Sequence, residues 1–456
     1  MGTYNESLIK GSVVKGLVKF AVPVLLSNIL QIVYSTTDLL IVGRFASTAD
    51  VSGVSTGSML MGLVTFAVFG LVQGVAVLVG RSAGARDEDA IRRAVGTSIL
   101  FFAAFCVCAM IPLILLNRPL VGLMNTPPEA VDKAGRYFLI CAAGTPFIVG
   151  YNLSGAIMRG YGNSKTPLLF VGLSCAINIV LDYVLIRFAH MGAAGAAVAT
   201  VTAQGISLAF SGRHVLTKTF GFRIRAADIR MDGASLRQLL KVGVPQAAQE
   251  LLVQISFMII LALINDMGLS ESAAGGIAGK ILVFLTMPQM AVASSVGTMA
   301  AHNLGAGQRD RAERGLWVGM AIAAGIGVVL HLASRFFGAQ LARLFIGDPE
   351  VIRNTASYLR SYTIDCITAG LVFPMNSFLA SCGYALFTML HSLAATFGVR
   401  VPLAVHMAHR AGATLEHIGY SAPASTFVSL ILCLGFLFFF VRRRGPAADR
   451  KGGMAI

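Results

Sequence analysis

Residues Thr166–Phe188, TPLLFVGLSCAINIVLDYVLIRF, form a long apolar run with one carboxylate, Asp182, well inside its ends. A helix needs about 20 mainly apolar residues to cross a bilayer. Asn178 precedes Asp182 by four residues, so both side chains lie on one helix face, about one turn apart. Because an ionised carboxylate in hydrocarbon is unfavourable by about 3 kcal/mol or more, Asp182 should face a polar interior or bind a proton. The alternative is a carboxylate held by a neighbouring helix for packing.

The composition of the whole chain agrees with a membrane protein. The 456 residues are 56% hydrophobic and 12% charged, and the mean hydropathy is +0.75. The apolar runs are long and continuous, without the period-two alternation of a barrel, so an all-α polytopic membrane protein is predicted. The net charge is +15, and most charged residues lie between the apolar runs, where they determine the orientation of the chain in the membrane. No nucleic-acid partner is therefore predicted.

Twelve membrane spans are predicted from the apolar runs. Their approximate bounds are 17–42, 52–79, 95–116, 132–156, 166–188, 192–213, 239–265, 272–300, 316–337, 354–381, 384–408 and 418–441. Most of the 36 Lys and Arg residues lie on one side of the membrane if both termini are placed there. Basic loops stay on the cytoplasmic side, so both termini, including the basic segment 442–451, are predicted to be cytoplasmic.

The chain also repeats itself. Lys19–Pro23 (KFAVP) matches Lys241–Pro245 (KVGVP) at an offset of 222, and Pro128–Tyr137 matches Pro349–Tyr358 at 221. These anchors predict two halves of six helices each. Because six is even, both halves enter the membrane from the same side, which makes the repeat parallel.

We therefore predict an N-terminal six-helix lobe at 1–213, a basic cytoplasmic linker at 214–237 and a C-terminal six-helix lobe at 238–456. Pro23 and Pro245 occupy matching positions in the first span of each lobe and are predicted helix hinges, because proline removes a helix hydrogen bond. Such repeats are typical of transporters whose site lies between the halves. A duplicated scaffold without transport is the alternative.

The polar residues inside the spans do not follow the repeat. Asp38 in the first span shares a face with Tyr34 and Gln31, at spacings of four and seven. Asp38 and Asp182 are predicted at similar depth, where two carboxylates can share a cavity and bind a proton or a cation. The alternative for Asp38 is an interfacial residue near a helix end.

The second lobe carries a different polar set. Glu250 and Gln254 share a face of the seventh span, Lys280 lies in the eighth and Arg400 in the eleventh. Glu250 and Lys280 are considered as a buried ion pair, either structural or moving during transport. The loops carry no recognisable catalytic motif, so an enzyme is not predicted, and no metal or cofactor is expected.

Together, these residues resemble the multidrug and toxic compound extrusion (MATE) family. Met158–Pro167 (MRGYGNSKTP) looks like the family's Arg-Gly-x-Gly-x-x-x-Thr-Pro loop, and Gly398–Pro402 (GVRVP) looks like its signature in the eleventh span. Asn178-xxx-Asp182-Tyr183 is the most specific match. The resemblance implies twelve transmembrane helices in two parallel six-helix repeats, arranged as the V-shaped MATE fold around a central cavity.

Within the family, the resemblance is closest to the DinF-like prokaryotic branch. That branch places its coupling carboxylates in the first and fifth spans, with an Asn four residues before the second acid, and Asp38, Asn178 and Asp182 match this arrangement. The NorM-like branch places acids in the seventh and tenth spans, where this chain has Gln254 and an apolar residue near Leu371. The resemblance therefore favours proton coupling over sodium coupling of the NorM type.

What the resemblance implies in full is a secondary active antiporter that exports amphipathic cationic organic compounds, including drugs, in exchange for H⁺. The supporting polar cavity would include Gln31, Tyr34 and Tyr183. Na⁺ is the alternative coupling ion, a lipid-linked precursor flippase is the alternative transporter, and a membrane-embedded enzyme or receptor is the alternative outside transport. The expected setting is a monomer in the lipid bilayer of the bacterial plasma (inner) membrane.

Overall fold

The computed structural model describes residues 6–124 and 126–441, which form helices and turns and contain no strand. Ten helices in these ranges are long and apolar enough to cross a membrane, and two bent helix pairs bring the number to twelve. The predicted all-α architecture of twelve spans is thereby confirmed. The basic segment 442–451, which was predicted to be cytoplasmic, lies outside the described residues.

The spans are numbered 1 to 12 in chain order. Spans 1 to 6 are Val13–Phe45, Thr48–Gly84, Glu88–Leu115, Pro128–Ala143 with Thr145–Gly160, Lys165–Phe188 and Gly192–Thr217. Spans 7 to 12 are Gly233–Asn265, Leu269–Gly305, Arg309–Arg343, Pro349–Tyr362 with Asp365–Ser381, Ala385–Ala408 and Leu415–Phe439. Shorter helical segments are Glu6–Leu8, Asn117–Leu123 and Ala226–Asp228.

Spans 4 and 10 are bent at matching places. Span 4 bends by 53° between its two helices, and span 10 bends by 45°. Both spans begin with a Pro-Glu pair, at Pro128 and Pro349, where proline suits the first turn because it has no N–H to leave unpaired. The bends therefore recur within about two residues of the offset that the sequence repeat predicts.

The helices form two compact units, each with its own apolar core. The first unit comprises the described residues up to Ile9, Val22–Ala247 and Gly305–Gly307; the second comprises Lys10–Ala21, Ala248–Leu304 and the chain from Gln308 onward. The predicted lobes, 1–213 and 238–456, differ from these units. The chain changes unit inside span 1, beside Pro23, and inside span 7, two residues after Pro245.

Close backbone packing explains where the units end. In the first unit, a side chain at Gly70 of span 2 would overlap the backbone of Ala247 in span 7, so the start of span 7 packs tightly here. In the second unit, Ser295 Oγ donates a hydrogen bond of 2.9 Å to the Leu17 carbonyl oxygen and holds the start of span 1. A small residue, Gly70, thus allows the first part of span 7 to pack in the first unit, and a polar residue, Ser295, holds the first part of span 1 in the second unit.

The predicted linker, 214–237, is folded onto the first unit. Arg92 of span 3 donates through Nη1 to the Asp228 carboxylate and to the Arg223 carbonyl, each at 2.9 Å. The Arg92 guanidinium also lies over the Phe222 ring, 4.3 Å from its centroid. Gly96 lets the Asp228 carbonyl approach span 3, because a side chain at this position would overlap it. The segment is therefore a docked element of the unit.

Candidate cation-coupling site

The structure brings Asp38 and Asp182 together inside the first unit. Asp38 on span 1 is 6% exposed and Asp182 on span 5 is fully buried, and their carboxyl groups lie close enough to interact electrostatically. Ionised carboxylates have only acceptor oxygens, so two of them cannot hydrogen-bond to each other without a proton. A proton or a cation between these two groups relieves their repulsion and supplies the missing partner.

Asn178 and Tyr34 complete the immediate surroundings of the acids. Asn178 is fully buried one turn before Asp182, beside its carboxyl group, and Tyr34 lies near both acids with its hydroxyl beside Thr200 of span 6. Among the described residues, the oxygens of Asp182 and the amide atoms of Asn178 make no hydrogen bond of standard geometry. Unpaired buried polar atoms are unfavourable, so the pocket is suited to a small polar or charged guest.

Three further residues near the pair lie outside the set that sequence reasoning assigned to the site. Tyr137 and Cys141, one turn apart on span 4, both lie near enough to Asp38 to interact with it electrostatically. Thr200 approaches from span 6. Tyr137 is visible in the sequence as an anchor of the repeat, but no local pattern links spans 4 and 6 to Asp38.

Span 5 changes its helical geometry directly after Asp182. It is α-helical over Lys165–Asp182 and π-helical over Tyr183–Phe188. Such wider turns occur frequently at functional sites. Tyr183 is 43% exposed, and its ring packs edge-on against Phe45 and Phe188 with centroids 5.7 Å away in each case. The structure thus directs Tyr183 away from the buried pair, whereas Gln31 is half-buried two turns before Asp38.

The predicted residues of the second unit are not brought into one site. Glu250 and Gln254 are both half-buried on span 7, whereas Lys280 on span 8 is exposed. No ion pair joins Glu250 to Lys280 in the part of the chain that the structure describes. The buried ion pair that the sequence suggested between Glu250 and Lys280 is therefore not formed, because the Lys280 side chain lies on an exposed side of its helix.

Arg400 occupies a buried aromatic environment in the second unit. It is 7% exposed, and its Nη2 donates a hydrogen bond of 3.0 Å to the Tyr362 hydroxyl. Its guanidinium stacks over the Phe257 ring, 4.0 Å from the centroid, and lies near the Asp365 carboxylate. Rings and a nearby acid are what a buried guanidinium needs in place of water, so these contacts account for its burial.

The fold and the buried acids define a class of protein. Two six-helix repeats in a membrane, with buried carboxylates inside the first repeat, are typical of membrane transporters. A family model described as MatE matches residues 23–184 and again 245–406, the two repeats at an offset of 222. The chain belongs to this family, the MATE multidrug efflux transporters.

Individual relatives agree with this membership. The chain is 28% identical over 458 residues to the "Probable multidrug resistance protein YoeA" of Bacillus subtilis, covering 97% of this chain and 98% of that protein. It is 23% identical over 402 residues to the "Probable multidrug resistance protein NorM" of Thermotoga maritima, with 86% and 85% covered. A solved multidrug resistance MATE family transporter of the MOP superfamily, in an outward-facing conformation, has the same fold, with a TM-score of 0.88, 22% identity and 99% and 100% covered.

Proposed function

We propose that this protein is a proton-coupled antiporter that exports amphipathic organic cations through the membrane. The observation that supports the proposal is the burial of two neighbouring acids, Asp38 and Asp182, carried by different spans of the same unit. The pair loses negative charge when it binds a proton, while the packing of the helices holds the two side chains in place. The pair is thus a small charge switch.

Linkage explains how such a switch drives export. When the acids are ionised, the first unit offers negative charge that attracts an organic cation. Proton entry from outside neutralises the pair and weakens this attraction, so the cation leaves; proton release inside restores it. Coupling requires that the two protonation states favour different conformations, since a ligand without differential affinity shifts no equilibrium.

The prolines give the chain a place to bend. Span 1 passes from the second unit to the first between Ala21 and Val22, and span 7 passes from the first to the second between Ala247 and Ala248. Pro23 and Pro245 lie within two residues of these points and interrupt the hydrogen-bond ladder of each helix. We propose that both helices flex there during transport.

The membrane setting is part of the proposal. Basic residues between the spans favour cytoplasmic termini, and the family relatives named above are bacterial, so the plasma (inner) membrane is the proposed location. A monomer is proposed as the working form, because the acidic pair is built within a single chain. No cofactor is proposed besides the coupling ion.

The decisive experiment is ethidium efflux from proteoliposomes, driven first by an imposed proton gradient and then by a sodium gradient. Wild type is compared with Asp38→Asn and Asp182→Asn, and with Asp266→Asn as a matched control at an exposed acid. We expect the proton gradient to drive efflux, both site variants to fall to the level of empty vesicles, and the control to match wild type.

Other outcomes separate the alternatives. Efflux driven by sodium alone, but still lost in both site variants, would assign Na⁺ to the same pair. Efflux retained in both variants would place coupling elsewhere, with Glu250 as the next residue to test. No ethidium movement under either gradient, with folded protein, would contradict drug export and favour a narrow exporter or a lipid-linked precursor flippase.

A further inference from the structure

A compact polar cluster lies in the second unit, where span 10 ends and span 11 begins. His391 of span 11 is 3% exposed; its Nε2 lies 2.9 Å from Asn376 Oδ1 of span 10 and 3.2 Å from Cys433 Sγ of span 12. Its Nδ1 lies 3.1 Å from the Ser429 hydroxyl of span 12, and Cys433 is fully buried. The transport mechanism proposed above uses none of these side chains.

Helix packing alone does not require an imidazole at this place. At the repeat offsets of 221 and 222, the counterpart of His391 in the first unit is Phe170 or Leu169, an apolar residue in either register. The duplicated frame therefore packs with a hydrocarbon side chain at this position. The second unit thus differs from the first at this position, where it brings a buried imidazole, a buried thiol and a half-buried amide together.

The three donor atoms are spaced for one small metal ion. The Sγ of Cys433, the Nε2 of His391 and the Oδ1 of Asn376 form a triangle with sides of 3.2, 2.9 and 3.6 Å. The point equidistant from them is about 1.9 Å from each, so an ion at the usual ligand distances of about 2.0–2.3 Å sits about 1 Å above their plane. The distances between the donors are therefore compatible with a three-ligand site.

The chemistry of the donors selects the type of ion. Thiolate is a soft ligand that selects monovalent copper and similar ions, and imidazole also binds copper, whereas Mg²⁺ and Ca²⁺ prefer sites built from oxygen ligands alone. None of the four cluster residues carries a formal charge, so exchanging the thiol proton for a monovalent cation leaves the buried charge unchanged. The balanced step is Cys433–SH + M⁺ → Cys433–S–M + H⁺, with the proton released to solvent.

The hydrogen bond of His391 to Ser429 supports this exchange. In one tautomer Nε2–H donates to Asn376 Oδ1; in the other Nδ1–H donates to the Ser429 hydroxyl and leaves Nε2 free to bind the ion, so ion binding shifts the ring proton from Nε2 to Nδ1. Asn376 is half-buried, whereas His391 and Cys433 are buried, so Asn376 is the most exposed of the three donor residues. We propose that this cluster binds one monovalent thiophilic cation, Cu⁺ or Ag⁺, and joins spans 10, 11 and 12 through it.

The test uses Ag⁺, which needs no reductant, and the full-length chain with single cysteines. One variant keeps only Cys433; the matched control keeps only Cys366, a buried thiol on span 10 of the same unit. Each is titrated with Ag⁺ against a competing thiol, and silver–thiolate absorption in the ultraviolet reports binding. We expect one Ag⁺ per chain at Cys433, held at least about tenfold more tightly than at Cys366.

Variants of the neighbours decide whether the cluster or the thiol alone binds. His391→Gln should lower the Ag⁺ affinity of the Cys433 protein by about 10–100-fold and leave the Cys366 protein unchanged. Ser429→Ala removes no ligand, but the imidazole ring of His391 loses the hydrogen bond that orients it. This variant should therefore also lower the Ag⁺ affinity of the Cys433 protein. If His391→Gln does not fold, the Ser429→Ala result decides. Equal affinities at the two cysteines, or affinities unaffected by the neighbour variants, would overturn the proposal.

Discussion

Replacing Gly70 by alanine should destabilise the first unit, although alanine is the better helix former. A Cβ atom at Gly70 would overlap the backbone of Gln246 and Ala247, where span 7 lies against span 2. The matched control is Gly62→Ala in the same helix, because a Cβ atom at Gly62 has no neighbouring atom within 4 Å. Only the first substitution forces two helices apart.

The expected magnitude follows from the comparison of the two variants. Alanine gains up to about 1 kcal/mol over glycine in a helix, and this gain cancels because both substitutions are Gly→Ala in one helix. Overpacking at Gly70 costs about 1–3 kcal/mol, which is the expected difference in the free energy of unfolding. For a folding unit of this size that corresponds to about 2–4 °C per kcal/mol, or roughly 4–8 °C near the middle of the range.

The assay is thermal unfolding of purified protein in nanodiscs, followed by differential scanning fluorimetry at matched lipid composition. We expect Gly62→Ala to melt at or slightly above wild type and Gly70→Ala several degrees below both. Melting points within about one degree of each other would refute the close approach of spans 2 and 7. The assignment of the start of span 7 to the first unit would then be wrong.

Three other predictions concern the hinge, the linker and the exposed lysine. Pro23→Ala restores a helix hydrogen bond, so it should slow ethidium efflux several-fold while the melting temperature is kept or raised. Arg92→Ala should increase hydrogen–deuterium exchange in the linker, because the Asp228 carboxylate loses a partner at 2.9 Å. The pKa of Asp228 lies below its usual range because the backbone N–H of Arg225 and the Arg92 guanidinium hold its carboxylate. The contribution of Asp228 to the docking is therefore complete above about pH 3.9 and is lost as the pH falls through the lowered value, which spin-label mobility on the linker measures. Lys280→Met should leave the melting temperature within about 1 °C of wild type, since Lys280 is exposed and has no ion pair with Glu250 among the described residues.

The fold was predictable from the sequence because hydrophobic length and repetition are local signals. Twelve apolar runs and the offset between the Pro-Glu pairs were sufficient for the spans and the two repeats. The unit boundaries were not predictable to the residue. They depend on contacts between distant parts of the chain, such as Gly70 with the backbone of Ala247 and Ser295 with the Leu17 carbonyl. The sequence does not indicate which residues form these contacts.

The candidate site was predictable only in part. The spacing of Asn178 and Asp182 places both on one helix face, and this local relation is present in the structure. Tyr137 and Cys141 reach Asp38 from another span, which no spacing within a helix indicates. Polar residues can be placed on a helix face from sequence, but their partners across helices depend on packing.

The tyrosines of the two repeats show how one frame came to serve two environments. Tyr137 and Tyr358 are counterparts at an offset of 221; the first lies near Asp38 and the second near Arg400. The frame has therefore kept an aromatic hydroxyl at this depth while the neighbouring charge changed sign. The counterparts of Asp38 and Asp182 in the second repeat are the apolar residues Ile260 and Leu403. The proposed charge switch therefore has no counterpart at these two positions, which fits a mechanism in which the two repeats have different roles.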